Sequence, residues 1–142
     1  MEKYAHAERR GDVRVFINVS MRLVVFDGDT IGLSAKESIK LRTGVIRDLS
    51  ISGACIKTND LLDIWLSAMR AGLIKVALKF QLPDFSEPVN ANSKVMWIKE
   101  SEKSSDYKYT LGLKFMDLSE SDNVKIARYI IKHQSKDKEK KH

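Results

Sequence analysis

The stretch that decides the fold is "IKVALKFQL", residues 74–82. Every second residue is apolar, and the positions between them are Lys75, Ala77, Lys79 and Gln81. A repeat of two residues places the apolar side chains on one face of an extended chain. The stretch therefore predicts a β-strand with one buried face.

Five further stretches on either side predict strands. They are residues 15–23, a segment from about Ser38 to Arg47, "ACIKT" (54–58), "SKVMWIK" (93–99) and "YKYTLGLKFM" (107–116). In the last of these, Tyr107 is predicted on the same inner face as Tyr109. Turn-forming residues separate the strands, among them "DLSISG" (48–53) and "PDFSEPVNAN" (83–92), so we expect short connections.

Two segments instead show helical spacing. "SESDNVKIARYIIKHQ" (119–134) predicts a closing helix, with Ser119 as its N-cap and Asp122 three residues later. Its predicted apolar stripe is Val124, Ala127, Ile130 and Ile131. A shorter helical insert near residues 60–71 is indicated by Leu61, Trp65 and Met69, with Gly72 to end it.

The predicted fold class is mainly β, a six-stranded antiparallel barrel or strongly bent sheet with a C-terminal α-helix and the short helical insert. Closure into a barrel would remove two exposed sheet edges. The chain of 142 residues suits one compact domain, and it shows neither a repeat nor a linker. Half of the net charge of +6 lies in the lysine-rich segment from Lys132 onward, so residues 133–142 are predicted to be a basic polar tail.

Composition argues against several classes of protein. No apolar run approaches the ~20 residues of a membrane span, and the first ten residues lack a signal-peptide core, so a cytoplasmic location is expected. The single cysteine, Cys55, is predicted to be a packed core thiol rather than a nucleophile. The three histidines lack ligand spacing and no phosphate-binding glycine loop occurs, so neither a metal site nor an enzyme is expected.

Two short polar motifs do not suit plain scaffolding. The first is Arg10-Gly-Asp-Val-Arg14, directly preceded by Arg9. Each guanidinium presents a rigid fork of donors that fits phosphate oxygens or the O6 and N7 edge of guanine. The first motif therefore predicts contacts to phosphates and bases.

The second motif is Asp48-Leu-Ser-Ile-Ser-Gly53. The carboxylate of Asp48 can accept hydrogen bonds from guanine N1–H and N2, and the hydroxyl of Ser50 can reach a phosphate or sugar. Gly53 allows the backbone to approach a ligand closely. Together the two motifs complement an object that carries both phosphates and guanines.

"RRGDVR" followed by "DLSISG" resembles the paired signature of the PilZ domain family, R-x-x-x-R and [D/N]-x-S-x-x-G. "KVMWIK" resembles the Val-x-Trp strand of that family, and "YTLGLKFMDLSESDNVKIARYI" (109–130) resembles its closing strand, its Asp-Leu-Ser turn and its final helix. The similarity covers roughly residues 8–132. It implies a six-stranded barrel that binds the bacterial second messenger cyclic di-GMP, with no other cofactor.

The resemblance also implies residue roles. Arg10, in a mobile N-terminal segment (residues 1–13), and Arg14, directly after it, would grip phosphates and guanine edges, while Asp48, Ser50 and Gly53 would serve on the barrel face. In this family an arginine at the position of Arg9 tends to accompany a self-intercalated ligand dimer, which implies two ligand molecules per site. Trp97 is either a core residue or a surface on which guanine stacks.

The expected output is a relay to a separate effector protein through ordering of the N-terminal segment, in motility, adhesion or biofilm control. The insert departs from the family pattern and is interpreted either as a cover over one barrel end or as a partner-binding face. Two alternatives remain open at this point: a PilZ-like adaptor that binds protein and not nucleotide, and a small nucleic-acid-binding barrel, which the pI near 9.4 permits.

Overall fold

The computed structural model describes residues 13–26, 42–61, 63–102 and 104–141, with the backbone alone described for residue 64 and for residues 135–141. Its six strands are β1 (Val15–Phe26), β2 (Arg42–Leu49), β3 (Gly53–Thr58), β4 (Lys75–Phe80), β5 (Val89–Glu100) and β6 (Tyr109–Asp117). They pair in the order β1-β2-β3-β6-β5-β4, and β4 pairs back onto β1, so the sheet is closed. All six pairings are antiparallel. The predicted six-stranded antiparallel barrel is confirmed.

The core forms where the two-residue repeats point inward. Val76, Leu78 and Phe80 of β4 are buried, as the opening stretch predicts. Inward side chains of the other strands join them in one cluster, and these include Met21, Leu23, Ile46, Ile56, Val95, Leu111 and Leu113. Burial of this apolar surface is the main force that holds the barrel closed.

The insert adds its apolar side chains to that core. A 3₁₀ turn, Asp63–Trp65, leads into a short helix, α1 (Leu66–Arg70), which is shorter than the sequence pattern indicates. Trp65 and Met69 are buried in the core cluster, and Gly72 follows the helix with φ of 78°, as the predicted ending requires. The guanidinium of Arg42 lies 4.5 Å from the centre of the Trp65 ring and pairs with Asp60 at 2.8 Å. The apolar face of the insert is therefore occupied, in agreement with the interpretation as a cover.

The closing helix, α2, spans Glu120–Lys141. Ser119 is its N-cap, since its Oγ accepts a hydrogen bond from Asp122 N at 3.0 Å. The Asp122 carboxylate does not complete a capping box but accepts from Asn90 N at 3.3 Å, which ties the helix to β5. α2 also runs seven residues beyond position 134, so the helical backbone continues through most of the predicted polar tail.

The predicted apolar stripe of α2 is wrong in two of its four positions. Val124 and Ile131 are exposed, whereas Ile126, Tyr129 and Ile130 are buried. The buried residues are spaced three and four apart and form a single helix face. Ile130 and Ile131 are adjacent and both apolar, so the sequence pattern did not show which of them faces the core. The predicted stripe included Ile131, which is exposed.

Several strand boundaries differ from the prediction. β2 continues through Leu49, so Asp48 belongs to a strand and not to a turn, and the predicted start of β2 near Ser38 lies outside the described residues. β5 begins at Val89 and not at Ser93, because residues 89–94 pair with β4. Tyr107 precedes β6 and is half-buried in the connecting loop, so its predicted place on the inner face is wrong.

Of the four irregularities in the described strand registers, three add a residue to β1, β2 or β5. One extra residue is accommodated between Phe16 and Val19 in β1, between Ile46 and Asp48 in β2, and between Val95 and Trp97 in β5. A bulge of this kind re-aims the neighbouring side chains and increases the local twist. All three bulges adjoin the candidate site.

Candidate functional site

The strand registers align five residues in a row across the outer surface of the barrel. Phe16 pairs with Asp48, Asp48 with Cys55, Cys55 with Gly112, and Gly112 with Trp97. Cross-strand partners face the same side of a sheet. The two ends of the row, Phe16 and Trp97, are 80% and 47% exposed, so the row lies on the outside of the barrel.

A groove of about 330 Å³ follows this row, and we call it the Asp48 groove. The residues that line it and matter for its chemistry are Arg14, Arg47, Asp48, Cys55, Trp97 and Lys114. Three of these six are cations, one is an acid and one is an aromatic residue. Such a lining suits a flat, anionic ligand that presents hydrogen-bond donors.

Asp48 organises the cationic side of the groove. Its side chain is 5% exposed, and its Oδ1 accepts a hydrogen bond from Arg14 Nη1 at 2.9 Å. Its Oδ2 accepts from Arg47 Nε at 3.1 Å and from Arg47 Nη2 at 3.0 Å. Arg14 is thus held through one nitrogen and Arg47 through its Nε–Nη2 edge. Their side chains are 55% and 47% exposed, so both guanidiniums keep donors toward solvent.

Arg47 was not among the residues predicted from the sequence. It occupies the bulge of β2 and is therefore directed outward beside Asp48. The only sequence feature that could have indicated Arg47 is its position directly before Asp48, the acidic residue of the second motif. That signal is weak, because exposed arginines next to aspartates are common on protein surfaces.

Ser50 and Gly53 build the turn that follows Asp48. The Ser50 Oγ accepts a hydrogen bond from Gly53 N at 3.1 Å and lies 3.2 Å from Gly53 O, and the residue is 0% exposed. The hydroxyl that was expected to reach a phosphate or sugar is thus engaged within the turn in this structure. A Cβ on Gly53 would lie 2.0 Å from Leu113 O, so glycine is required by the close approach of β3 to β6.

Trp97 faces the groove and not the core. The bulge at Met96 breaks the repeat of two, so Met96 and Trp97 are both exposed. A Cβ on Gly112 would lie 2.1 Å from Trp97 Nε1, which shows that the indole lies directly across this glycine. One face of the indole is supported by the sheet, and the side chain remains open to a planar ligand.

Cys55 is buried, as predicted for a packed thiol, but its side chain faces outward and forms part of the floor of the groove. It is 1% exposed and outward-facing, between the inward-facing Ala54 and Ile56. Burial raises the pKa of the Cys55 thiol, and the nearby Arg47 opposes this only in part. The thiol is therefore neutral at physiological pH and acts as a small apolar surface.

The remaining predicted ligand residues, Arg9 and Arg10, lie outside the described residues. In the described part of the chain no group of three or more His, Cys, Asp or Glu residues is arranged to hold a metal ion. Among the same residues, no helix is both long enough and apolar enough to cross a membrane.

The sequence profile of the PilZ domain matches residues 8–132. The chain belongs to the PilZ domain family. The matched region contains the whole barrel and both arginine- and aspartate-centred motifs. Cyclic di-GMP receptors are known in this family, as are members that do not bind the nucleotide.

Solved structures with the same fold include the PilZ domain of YcgR from Escherichia coli with c-di-GMP. That similarity has a TM-score of 0.61 at 14% identity and covers 93% of this chain and 96% of the other. MotI from Bacillus subtilis, an inhibitor of motility, gives 0.64 at 17% identity over 90% of this chain and 52% of the other. The MrkH–c-di-GMP complex from K. pneumonia gives 0.62 at 14% identity over 91% and 54%.

This PilZ chain thus spans about half the length of MotI and MrkH and nearly all of the isolated YcgR domain. At these identities the similarity establishes the fold alone. A comparison with curated protein sequences finds no match.

Proposed function

We propose that this PilZ domain binds cyclic di-GMP in the Asp48 groove and relays its presence to a separate effector protein. The observation that carries the proposal is the Arg14–Asp48–Arg47 cluster, in which one buried carboxylate holds two half-exposed guanidiniums at the edge of a groove. The half-exposed Trp97 forms another wall of the same groove. A ligand with phosphates and guanine bases uses both features.

The two arginines and the aspartate of the cluster have different tasks. Arg14 and Arg47 donate to phosphate oxygens or to the O6 and N7 edge of guanine. Asp48 keeps both arginines in position, and because a carboxylate has about four acceptor sites it retains one for a guanine N–H. Charge-assisted hydrogen bonds contribute roughly 1.5–3 kcal/mol each, so a few of them offset the cost of ordering side chains.

Trp97 supplies a surface for one guanine. Stacking of a base on an aromatic side chain contributes about 1–3 kcal/mol. The indole is already held against Gly112, so little side-chain entropy is lost when a base stacks on it. Lys114 lines the same groove and adds positive charge near the ligand phosphates.

Arg9 and Arg10 extend the proposal to the N-terminal segment. We expect Arg10 to contribute a second guanidinium of the first motif and Arg9 to support two ligand molecules per site. The segment, the ligand and the barrel face would then form a joint surface for the effector, as in control of motility or adhesion. Loss of nucleotide would separate these parts and remove the signal.

The test is isothermal titration calorimetry of the full chain with cyclic di-GMP, with linear GMP-type nucleotides as controls. We expect selective binding that Arg14→Ala and Asp48→Asn each weaken by about ten- to hundredfold, since each change removes charge-assisted bonds or their positioning. Arg22→Ala is a matched control, because Arg22 lies on β1, the strand that Arg14 directly precedes, but outside the Asp48 groove. Its affinity should equal that of the unmodified chain.

Three results would contradict the proposal in different ways. Full affinity in the Arg14→Ala variant would show that the ligand binds elsewhere. Failure of the folded, unmodified chain to bind cyclic di-GMP would favour the adaptor that binds protein alone. Binding that ignores nucleotide identity and falls steeply with salt would indicate nucleic acid.

A further inference from the structure

A second groove adjoins the first on the outer surface of the barrel. It has a volume of about 290 Å³, and Arg47 lines both grooves. Its lining includes Asn18, Val45, Lys57, Asp106 and Tyr107, and we call it the Tyr107 groove. The two grooves are similar in volume and share Arg47, whose guanidinium is held by the Asp48 carboxylate.

The register explains why the grooves are neighbours. Cys55, on the floor of the Asp48 groove, and Lys57, in the Tyr107 groove, lie two residues apart on the same face of β3. Two residues of a strand span roughly 7 Å. Lys57 pairs with Val45 of β2, so the Tyr107 groove is displaced by one such step along the barrel.

The Tyr107 groove repeats the chemistry of the Asp48 groove. Lys57 and Arg47 supply cations, Asp106 supplies a carboxylate and the half-buried Tyr107 supplies an aromatic ring. Asp106 is exposed, and no hydrogen bond or ion pair joins its carboxylate to any residue that the structure describes. Its acceptor oxygens are therefore open to a ligand as far as the described residues are concerned.

The loop that carries Asp106 and Tyr107 is held in place by Asn59. Asn59 Nδ2 donates to Asp106 O at 3.0 Å, and Asn59 Oδ1 accepts from Lys108 N at 2.6 Å. Ser101 N also donates to Lys108 O at 2.7 Å. These bonds fix the backbone on both sides of Tyr107, so the groove exists before a ligand arrives.

We propose that the Tyr107 groove is a second guanine subsite, in which Tyr107 stacks on the base and Asp106 accepts hydrogen bonds from guanine N1–H and N2. This inference rests on the proposed function of the Asp48 groove. Arg47 and Lys57 lie between and beside the two bases, where the phosphates of a cyclic dinucleotide link them. The bound ligand thus extends across β3 and β2, from Trp97 to Tyr107.

The experiment compares cyclic di-GMP with the hybrid cyclic dinucleotide that carries one guanine and one adenine. The variant is Asp106→Asn, and the matched control is Glu102→Gln, which removes an exposed carboxylate from the same loop outside the groove. Asp106→Asn should weaken cyclic di-GMP by about ten- to hundredfold. It should also reduce the preference for cyclic di-GMP over the hybrid. In the variant a guanine in this subsite loses its contact to the carboxylate, whereas an adenine had no such contact to lose.

Glu102→Gln should change neither affinity nor preference. Circular dichroism and thermal melting verify that both variants fold, as their exposed side chains lead us to expect. If Asp106→Asn and Tyr107→Leu bind both dinucleotides as tightly as the unmodified chain while Asp48→Asn binds weakly, the second subsite is disproved and the proposed function stands. If the unmodified chain binds neither dinucleotide, both proposals are disproved.

Discussion

Trp97 and Gly112 depend on one another at the scale of single residues. The indole crosses the glycine so closely that a Cβ at position 112 would lie 2.1 Å from Nε1. The atoms that would be displaced belong to a half-exposed side chain and not to the backbone. A methyl group at position 112 therefore moves the indole and leaves the strand pairing intact.

Gly112→Ala is accordingly expected to weaken cyclic di-GMP by about five- to hundredfold, which corresponds to a lost base stack of about 1–3 kcal/mol. Acrylamide quenching of tryptophan fluorescence checks the cause, because Trp65 is 3% exposed and Trp97 is 47% exposed. Quenching of Trp97 should rise in the variant and should no longer fall when ligand is added. Unchanged quenching and affinity would show that the indole does not stack on the base.

The two motifs that the sequence pairs lie at one place in the structure. Arg14 and Asp48 are 34 positions apart and meet at 2.9 Å, although a direct bond between them was not predicted. Arg47 was missed because a bulge in β2 directs its side chain outward. Tyr107 was misplaced because it lies in a loop and not in a strand with a periodic pattern. Ser50 was assigned to the ligand, but its burial could not be known from its type alone.

The turn between β2 and β3 is the critical element, since it joins Asp48 to the strand that forms the groove floor. A Cβ on Gly53 would contact the backbone oxygen of Leu113, which cannot rotate away. We expect Gly53→Ala to destabilise the domain by roughly 1–3 kcal/mol, as overpacking does. It should also weaken ligand binding, because β3 must separate from β6 beneath the groove.

Gly72→Ala is the matched comparison. Its Cβ would meet only the Lys94 side chain at 3.7 Å, but φ of 78° is strained for alanine and costs roughly 1–2 kcal/mol. Both variants should therefore lower the midpoint of urea unfolding, whereas only Gly53→Ala should lower the affinity measured by calorimetry. Equal affinities in the two variants would show that the β3–β6 contact does not shape the groove.

Elements with a clean period were predicted well, whereas the ends of β2 and β5 were not. The repeat in residues 74–82 identified β4, and Ser119 identified the start of α2. β5 extends back to Val89 through a segment containing two asparagines that reads as a loop, since its stability comes from pairing with β4. The stabilisation that comes from pairing with another strand cannot be predicted from the local sequence.

For the whole molecule, closure was predictable because six alternating strands leave two edges that must be satisfied. The strand order that places β3 beside β6 does not follow from any local pattern of residues, yet it brings Gly53 and Gly112 into one groove. The location of the site therefore follows from topology, whereas the chemistry of the site follows from the motifs.

Tyr109 links the barrel to the insert and makes stability depend on pH at both extremes. Its buried ring carries a hydroxyl that donates to Asp63, and this bond lowers the pKa of Asp63, with a further contribution from Lys108. Burial, followed by the same bond, raises the pKa of Tyr109. Stabilisation from Asp63 is lost as the pH falls below about 4, and that from Tyr109 is lost as the pH rises above about 10.

Tyr109→Phe should therefore lower the urea midpoint most near neutral pH, and its difference from the unmodified chain should shrink toward both extremes. Tyr129→Phe is the control, because burial raises the pKa of Tyr129 without any contact to Asp63. That variant should alter only the alkaline limb of the stability curve. An acid limb that is identical in Tyr109→Phe and the unmodified chain would contradict this assignment.

β1 closes the barrel by pairing with both β2 and β4, and Arg14 directly precedes this strand. Its first part pairs with β2 and its second part pairs with β4, with an overlap at residues 21–23. Tension on the N-terminus would peel β1 from β2 beginning at the Val15–Leu49 pair, one residue from the Arg14–Asp48 ion pair. A ligand that joins Arg14 to the barrel would hold β1 at the point where it first separates from β2. The force needed to unfold the domain from its N-terminus would then be higher when ligand is bound.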